Sequence, residues 1–169
     1  MAPHEAVGIV VVSHSRQLAR AAIALAGEML NGHPVVIEAA AGLDESTFGT
    51  DAVRIKEAIE RANGSSGVVV LMDMGSAVLS TELALELMAD PAARERVILS
   101  SAPIVEGLIV AAVAAAGGAD RHEVADEASS ALMGNSVGSS RIALTAKGCR
   151  PGTSALPSAL VRASTLPLK

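Results

Sequence analysis

Along this chain, runs of β-branched residues alternate with amphipathic stretches. Gly8-Ile9-Val10-Val11-Val12 ends abruptly in Ser13-His14-Ser15, which reads as a buried strand, a turn and the start of a helix. Leu18, Ala22, Leu25 and Met29 then recur at spacings of four, three and four, the apolar stripe expected of that helix. Asn31-Gly32-His33-Pro34 stops it, and Val35 to Ala40 reads as a second strand. A polar loop from Gly42 to Thr50 follows, with Thr50 or Asp51 as cap for a helix whose stripe is Ile55, Ala58, Ile59 and Ala62. Asn63-Gly64-Ser65-Ser66-Gly67 is a turn. Val68 to Met72, apolar at every position, fits a central parallel strand. It runs into Asp73-Met74-Gly75-Ser76 and a helix from about Ala77 to Met88, closed by Pro91. Val97-Ile98-Leu99 is a short fourth strand. A helix over Ile104–Ala116 is apolar almost all round after Glu106, as expected of a helix buried on most sides or set in a subunit interface. Asp120 is placed to cap a last helix, Arg121 to Leu132.

This alternation predicts an α/β fold: an open, mainly parallel four-stranded sheet with helices on both faces. In the strand order 2-1-3-4, strands one and three are neighbours, and the loops at their carboxyl ends bring His14 close to Asp73. Ligands collect at such strand ends. From Gly134 onward, Ser, Gly, Thr, Pro and scattered basic residues replace the periodicity. The expected organisation is one domain over 1–136 and a basic tail over 137–169 that serves as a linker or disordered end.

Composition narrows the function. Phe48 is the sole aromatic residue, so the core is aliphatic and stacking platforms for single-stranded nucleic acid are lacking. Residues 1–140 carry all 18 acids and 8 of the 13 basic residues, a balance of -10, while 141–169 carry 5 basic residues and no acid. An acidic body is a poor binder of a phosphate backbone. Cys149, the single cysteine, cannot form an internal disulfide, and no metal-ligand spacing occurs, so neither a metal nor another cofactor is expected. The start, Met1-Ala2-Pro3-His4-Glu5, is unlike a signal peptide, and no apolar run approaches a membrane span. A cytoplasmic setting without membrane contact follows.

A histidine on a strand-end turn, next to a carboxylate on the adjacent strand end, is a nucleophile with an orienting partner. Asp73 would accept one ring N–H of His14 and favour a charged phospho-imidazole, leaving the other nitrogen for attack. Gly75 and Ser76 open a helix whose free N–H groups suit an anion, and Ser13 and Ser15 add hydroxyls beside His14. Together these suit a phosphoryl group carried on His14. Plainer roles compete. Asp73 could cap the following helix, Gly75-Ser76 could be ordinary turn chemistry, and Glu106 could complement a helix dipole. His4, His33 and His122 read as residues of a frayed end, a turn and a helix surface. No Walker lysine loop, kinase glycine loop or paired-carboxylate metal site is present.

At these residues the sequence resembles the phosphotransfer subunits of phosphoenolpyruvate-dependent dihydroxyacetone kinases, whose leading domain has the mannose-type enzyme IIA fold. The matching pieces are Val-Ser-His-Ser at 12–15, Gly49-Thr50, Met-Asp-Met-Gly-Ser-Ala at 72–77 and Ala-Pro-Ile-Val-Glu-Gly at 102–107, continuing through Ala-Ala-Gly-Gly-Ala at 115–119. The resemblance implies a relay. The phosphocarrier HPr, charged by enzyme I, phosphorylates His14. His14 passes the group to ADP on the kinase's nucleotide subunit, and the ATP formed phosphorylates dihydroxyacetone on a third subunit. It also implies a homodimer and makes Asp73 the His-orienting carboxylate.

Sugar-transporting members usually carry a Thr-His-Gly turn and a longer Gly-Gly-Ser/Thr-Pro loop after the Asp. Gly75-Ser76-Ala77 here favours the kinase branch, with a sugar-transport enzyme IIA as the alternative. Larger members continue into an HPr-like domain, whereas the tail here has no recognisable acceptor histidine, so a separate HPr is expected. A receiver-like signalling module would need an acidic pair after strand one, where Ser13-His14-Ser15 stands. A histidine phosphatase would need Arg-His-Gly there.

Overall fold

A computed structural model of the protein describes residues 5–133. The elements run β1 (Gly8–Ser13), α1 (Arg16–Met29), β2 (Ile37–Ala41), α2 (Ala52–Ala62), β3 (Val68–Met72), α3 (Gly75–Glu86), α4 (Pro91–Glu95), β4 (Val97–Ser100), α5 (Ile104–Ala116) and α6 (Arg121–Ser129). The strands form one sheet in the order β2-β1-β3-β4, and every pairing is parallel. This is the expected architecture. The tail 137–169, the boundary expected near 136, and the residues Cys149 and His4 lie outside the described residues.

β1 is buried along its whole length, as its unbroken apolar run requires. Its side chains alternate between two cores. Ile9 and Val11 join Val69, Leu71, α1, α5 and α6 on one face. Val10 and Val12 join Val68, Val70, α2 and α3 on the other. Fully burying each such side chain contributes about 1.5–3 kcal/mol. Gly8 is needed for closeness: a Cβ there would lie 2.1 Å from the carbonyl oxygen of Ala62, at the end of α2.

The structure corrects the stripe expected for α1. Ala19, Ala22 and Ala26 are its buried residues, while Leu18, Leu25 and Met29 are 40–47% exposed. The buried alanines share a core with Ala111, Ala112 and Ala115 of α5. Small side chains let the two helices approach each other and the sheet closely, and a leucine face would hold them apart. In α2 the expected stripe of Ile55, Ala58, Ile59 and Ala62 is buried throughout.

Pro91 does not simply close α3. It opens α4 as its first residue, behind an Asp90 cap, because proline at that position loses no helical hydrogen bond. β2 starts two residues later than expected, α3 starts at Gly75, and α6 ends at Ser129. α5 occupies the expected span and buries Gly107, Leu108, Ala111, Ala112, Ala114 and Ala115. Asp120 caps α6 in a reciprocal capping box with Glu123. No helix among the described residues is long and apolar enough to cross a membrane.

Two substitutions test which face of each helix is inside. Ile59→Ala empties a fully buried site and should cost about 2–5 kcal/mol. Leu25→Ala, on the exposed face of α1, should cost under about 1 kcal/mol. Urea midpoints compare them directly, and a loss at Leu25 equal to that at Ile59 would reinstate the leucine stripe as the buried one.

Candidate functional site

The site forms where β1 and β3 end side by side. Val12 pairs with Met72 in register, and the N–H of Asp73 donates to the carbonyl of Val12 at 3.2 Å. That carries Asp73 directly under the turn that holds His14. Both carboxylate oxygens are engaged. Oδ1 accepts from the ring Nδ1 of His14 at 2.9 Å. Oδ2 accepts from the His14 backbone N–H at 2.8 Å and from the Ser13 hydroxyl at 2.9 Å. The side chains are 19% exposed for His14 and 9% for Asp73. The two residues thus meet as their strand positions required.

Burial pushes the Asp73 carboxyl up, but the His14 backbone N–H, the His14 ring and the Ser13 hydroxyl together outweigh it and hold it below its ordinary range. Asp73 is therefore ionised at neutral pH. With a carboxylate at Nδ1, the neutral imidazole carries its proton on Nδ1 and its lone pair on Nε2. Nε2 faces the Ser76 hydroxyl at 2.8 Å, so Ser76 donates to the nitrogen available for attack.

The hydroxyls expected around His14 divide between architecture and site. Ser13 is fully buried, donates to Asp73, and accepts from the N–H of Ser15 at 3.1 Å. Ser15 is the N-cap of α1, accepting from the N–H of Leu18 at 3.2 Å. Ser76 faces the histidine directly. Gly75 and Ser76 form the first turn of α3, whose cap residue, Met74, supplies no side-chain hydrogen bond. The first-turn N–H groups beside Nε2 therefore have no capping side chain, a polarity that suits an anion. Asp73 does not cap this helix.

The loop between β2 and α2 closes the other side. Gly49 donates its N–H to the His14 carbonyl at 3.0 Å, and the Thr50 and Ser80 hydroxyls are 2.7 Å apart, tying the loop to α3. Apart from Thr50 as a candidate cap of α2, a task that falls to Asp51, the sequence marked Gly49-Thr50 only through the resemblance. Residue type alone carried no signal that this pair bridges the histidine turn and α3. His33 lies in the turn after α1, and His122 is exposed near the start of α6, both away from this constellation. No group of three or more His, Cys, Asp or Glu among the described residues is placed to hold a metal ion.

Asp73→Asn isolates the carboxylate. It removes the charge and one of the two acceptors, so that an amide accepting from the His14 backbone N–H turns its NH2 toward Nδ1, and it should cost about 1–3 kcal/mol at pH 7. Because folding depresses the Asp73 pKa, its ionic contribution is present above the ordinary aspartate range, about 3.9, and is lost as pH falls through the folded value. Urea unfolding at pH 7, 4 and 3 should show the wild type losing its advantage over the variant as pH falls. A constant difference across that range would contradict the assignment.

Comparisons with known proteins agree with this geometry. Residues 8–125 match the family described as PTS system fructose IIA component. A relative from Providencia stuartii, named PEP-dependent dihydroxyacetone kinase, phosphoryl donor subunit DhaM, is 47% identical over 129 residues, covering 75% of this chain and 27% of the relative. The subunit of the same name from Escherichia coli (strain K12) is 47% identical over 128 residues with the same coverage. The chain thus spans about a quarter of the length of these curated relatives. A Listeria innocua protein, PEP-dependent dihydroxyacetone kinase 2, phosphoryl donor subunit DhaM, is 36% identical over 107 residues, which cover 63% of this chain and 84% of that protein. A crystal structure of a protein of unknown function superposes with a TM-score of 0.65 at 27% identity, covering 73% of this chain and 93% of that one. With its four-stranded parallel sheet, its His14–Asp73 pair and a family match over most of its described length, the chain belongs to the mannose-type enzyme IIA family.

Proposed function

We propose that the protein is a phosphohistidine relay of a phosphoenolpyruvate-dependent dihydroxyacetone kinase. It accepts a phosphoryl group from HPr on His14 and passes it to ADP held on the kinase's nucleotide subunit, both steps in the cytoplasm. The observation that carries this reading is the line Asp73–His14–Ser76: a carboxylate at 2.9 Å from Nδ1 and a hydroxyl at 2.8 Å from Nε2. Curated relatives named as phosphoryl donor subunits of dihydroxyacetone kinase support the substrate class.

The chemistry balances without a proton leaving the ring. In the first step the Nε2 lone pair attacks phosphorus, a P–Nε2 bond forms, and the bond from phosphorus to the donor's nitrogen breaks. Nδ1 keeps its proton throughout, so the phosphorylated ring carries positive charge, and the ionised Asp73 beside it stabilises that charge. The Ser76 hydroxyl turns from Nε2 to the incoming phosphoryl oxygens, which also meet the uncapped first turn of α3. In the second step an ADP β-phosphate oxygen attacks phosphorus, Nε2 leaves with its electron pair, and the starting tautomer returns. Ser13 and Ser15 act one step back, Ser13 by holding Asp73 and Ser15 by fixing the start of α1. A homodimer belongs to this reading, and sedimentation tests it.

The decisive experiment mixes the protein with phosphoenolpyruvate, enzyme I and HPr, and follows intact mass. One phosphoryl group should appear on the wild type and none on His14→Ala. Acceptance surviving that substitution overturns the reading. Ser76→Ala should slow acceptance by up to about tenfold, the worth of one neutral hydrogen bond. Adding the ADP-loaded nucleotide subunit and dihydroxyacetone should discharge the phosphoprotein. Discharge only by an enzyme IIB would make the chain the enzyme IIA of a sugar transporter instead.

A further inference from the structure

We infer that the cleft at the amino ends of β1, β2 and β3 binds a small amphipathic monocarboxylate, an apolar body whose single carboxylate pairs with Arg121. The inference concerns the end of the sheet away from His14 and does not depend on the relay.

The segments that enter the three strands line one side of this cleft through Ala6, Val36 and Ser65. The junction of α5 and α6 lines the other through Ala116, Ala119 and Arg121. The cleft holds about 1060 Å³. Sites for small organic ligands usually enclose ~300–1,000 Å³, so there is room for one. Pro34, Val35 and Val36 make an apolar wall, and Val36 is 52% exposed.

Charge in the cleft is unbalanced in one specific way. Its three acids are already engaged by the chain itself. Glu5 accepts from the N–H and the hydroxyl of Ser65. Asp120 and Glu123 close the capping box of α6. The Ser65 N–H holds the Glu5 carboxyl below its ordinary range, and the Glu123 N–H does the same for Asp120, so both are ionised at neutral pH. The two basic side chains are not engaged. Neither the guanidinium of Arg121 nor the imidazole of His33 has a hydrogen-bond partner among the described residues.

Arg121 is the stronger signal. Its Nε is shielded from solvent and meets no acceptor, a costly state for a charged donor. Arg16, Arg20, Arg54 and Arg61 all reach acceptors. The stem of Arg121 crosses Gly67, where a Cβ would lie 2.9 Å from its Cδ and 2.5 Å from the carbonyl oxygen of Arg96. Gly67 also has a φ of +83°, so glycine at this turn is what leaves the arginine its place.

The ligand class follows from these groups. A guanidinium pairs a planar carboxylate through two parallel N–H donors. The first turn of α6 is closed by its own cap, so the guanidinium and not the helix start receives the anion. Glu5, Asp120 and Glu123 share the cleft, so a dianion such as a phosphate monoester meets three like charges, and a single carboxylate meets the least repulsion. His33 adds a ring N–H at the start of the apolar wall, and Pro34 to Val36 take the body of the ligand.

Calorimetric titration of the full chain with decanoate tests the site. Decanoate should bind with a Kd below about 1 mM. Decanol, the same body without charge, and acetate, the charge without the body, should each bind at least about tenfold more weakly, and decyl phosphate should bind more weakly than decanoate. Arg121→Gln should raise the Kd for decanoate at least about tenfold, and Arg121→Lys should recover part of the loss. Val36→Glu, an exposed position that sets a like charge on the apolar wall, should do as much, and it carries the test if Arg121→Gln fails to fold. Leu25→Ser and Leu79→Ser, on other exposed apolar faces, should bind as wild type. A Kd above about 1 mM overturns the proposal. So does wild-type affinity in a folded Arg121→Gln or Val36→Glu, binding of decanol or decyl phosphate as tight as that of decanoate, or a loss in Leu25→Ser or Leu79→Ser that equals the loss in Val36→Glu. Binding is read without phosphoryl transfer, so failure here leaves the relay standing.

Discussion

One carboxylate organises the end of this domain where β1 and β3 finish side by side. Asp73 is nearly buried, and burial alone would favour its neutral form. Three donors from two consecutive residues, Ser13 and His14, keep it charged. Those donors are in place only because β1 and β3 are parallel neighbours in a fixed register, with Val12 opposite Met72. A slip of one residue would turn the alternating side chains of β1 to the wrong faces and separate His14 from Asp73. The two cores on either side of β1 therefore do more than stabilise the fold: they set the register that aims the histidine.

Helix starts divide the remaining work. Ser15, Asp51, Asp90 and Asp120 cap α1, α2, α4 and α6 with side-chain oxygens. α3 is preceded by Met74, which cannot cap, and its first turn faces Nε2 through Ser76. An acidic cap there would set negative charge beside Nε2, the atom at which the proposed phosphoryl group would arrive. Asp73, one residue earlier in the chain, turns its charge to the other ring nitrogen instead. Adjacent positions thus separate the carboxylate that holds the imidazole from the uncapped helix start, whose polarity suits an anion.

Alanine governs the packing on the α1 side. Ala19, Ala22 and Ala26 share a core with the alanines of α5, and the larger apolar residues Leu18, Leu25 and Met29 lie on the outside. The apolar surface left exposed follows from that economy of space. Leu18, Leu25 and Met29 line α1, and Leu79, Leu83 and Leu87 line α3. Exposed apolar stripes on two helices are more than a solitary domain needs.

Much of this was legible in the sequence. The unbroken apolar runs of β1 and β3, the glycine-rich turns between elements and the cap at Asp120 determined the alternation of strands and helices. In the order 2-1-3-4 that alternation places His14 beside Asp73, and the sheet has that order. Local periodicity could not choose between the two apolar stripes of α1, which share Ala22, because only contact with α5 makes small residues the better buried face. It also could not assign hydroxyls. Ser13, Ser15 and Ser76 look alike as residues, and their different tasks arise from the atoms each meets: a carboxylate, a helix N–H and a ring nitrogen. The anchoring of Phe48 beside the histidine turn was equally invisible, since it depends on hydrogen bonds from the neighbouring Gly49 and Thr50 to residues more than 30 positions distant and exactly 30 positions distant, respectively. Chain pattern determined which residues lie at strand ends, and three-dimensional packing decided what each of them touches.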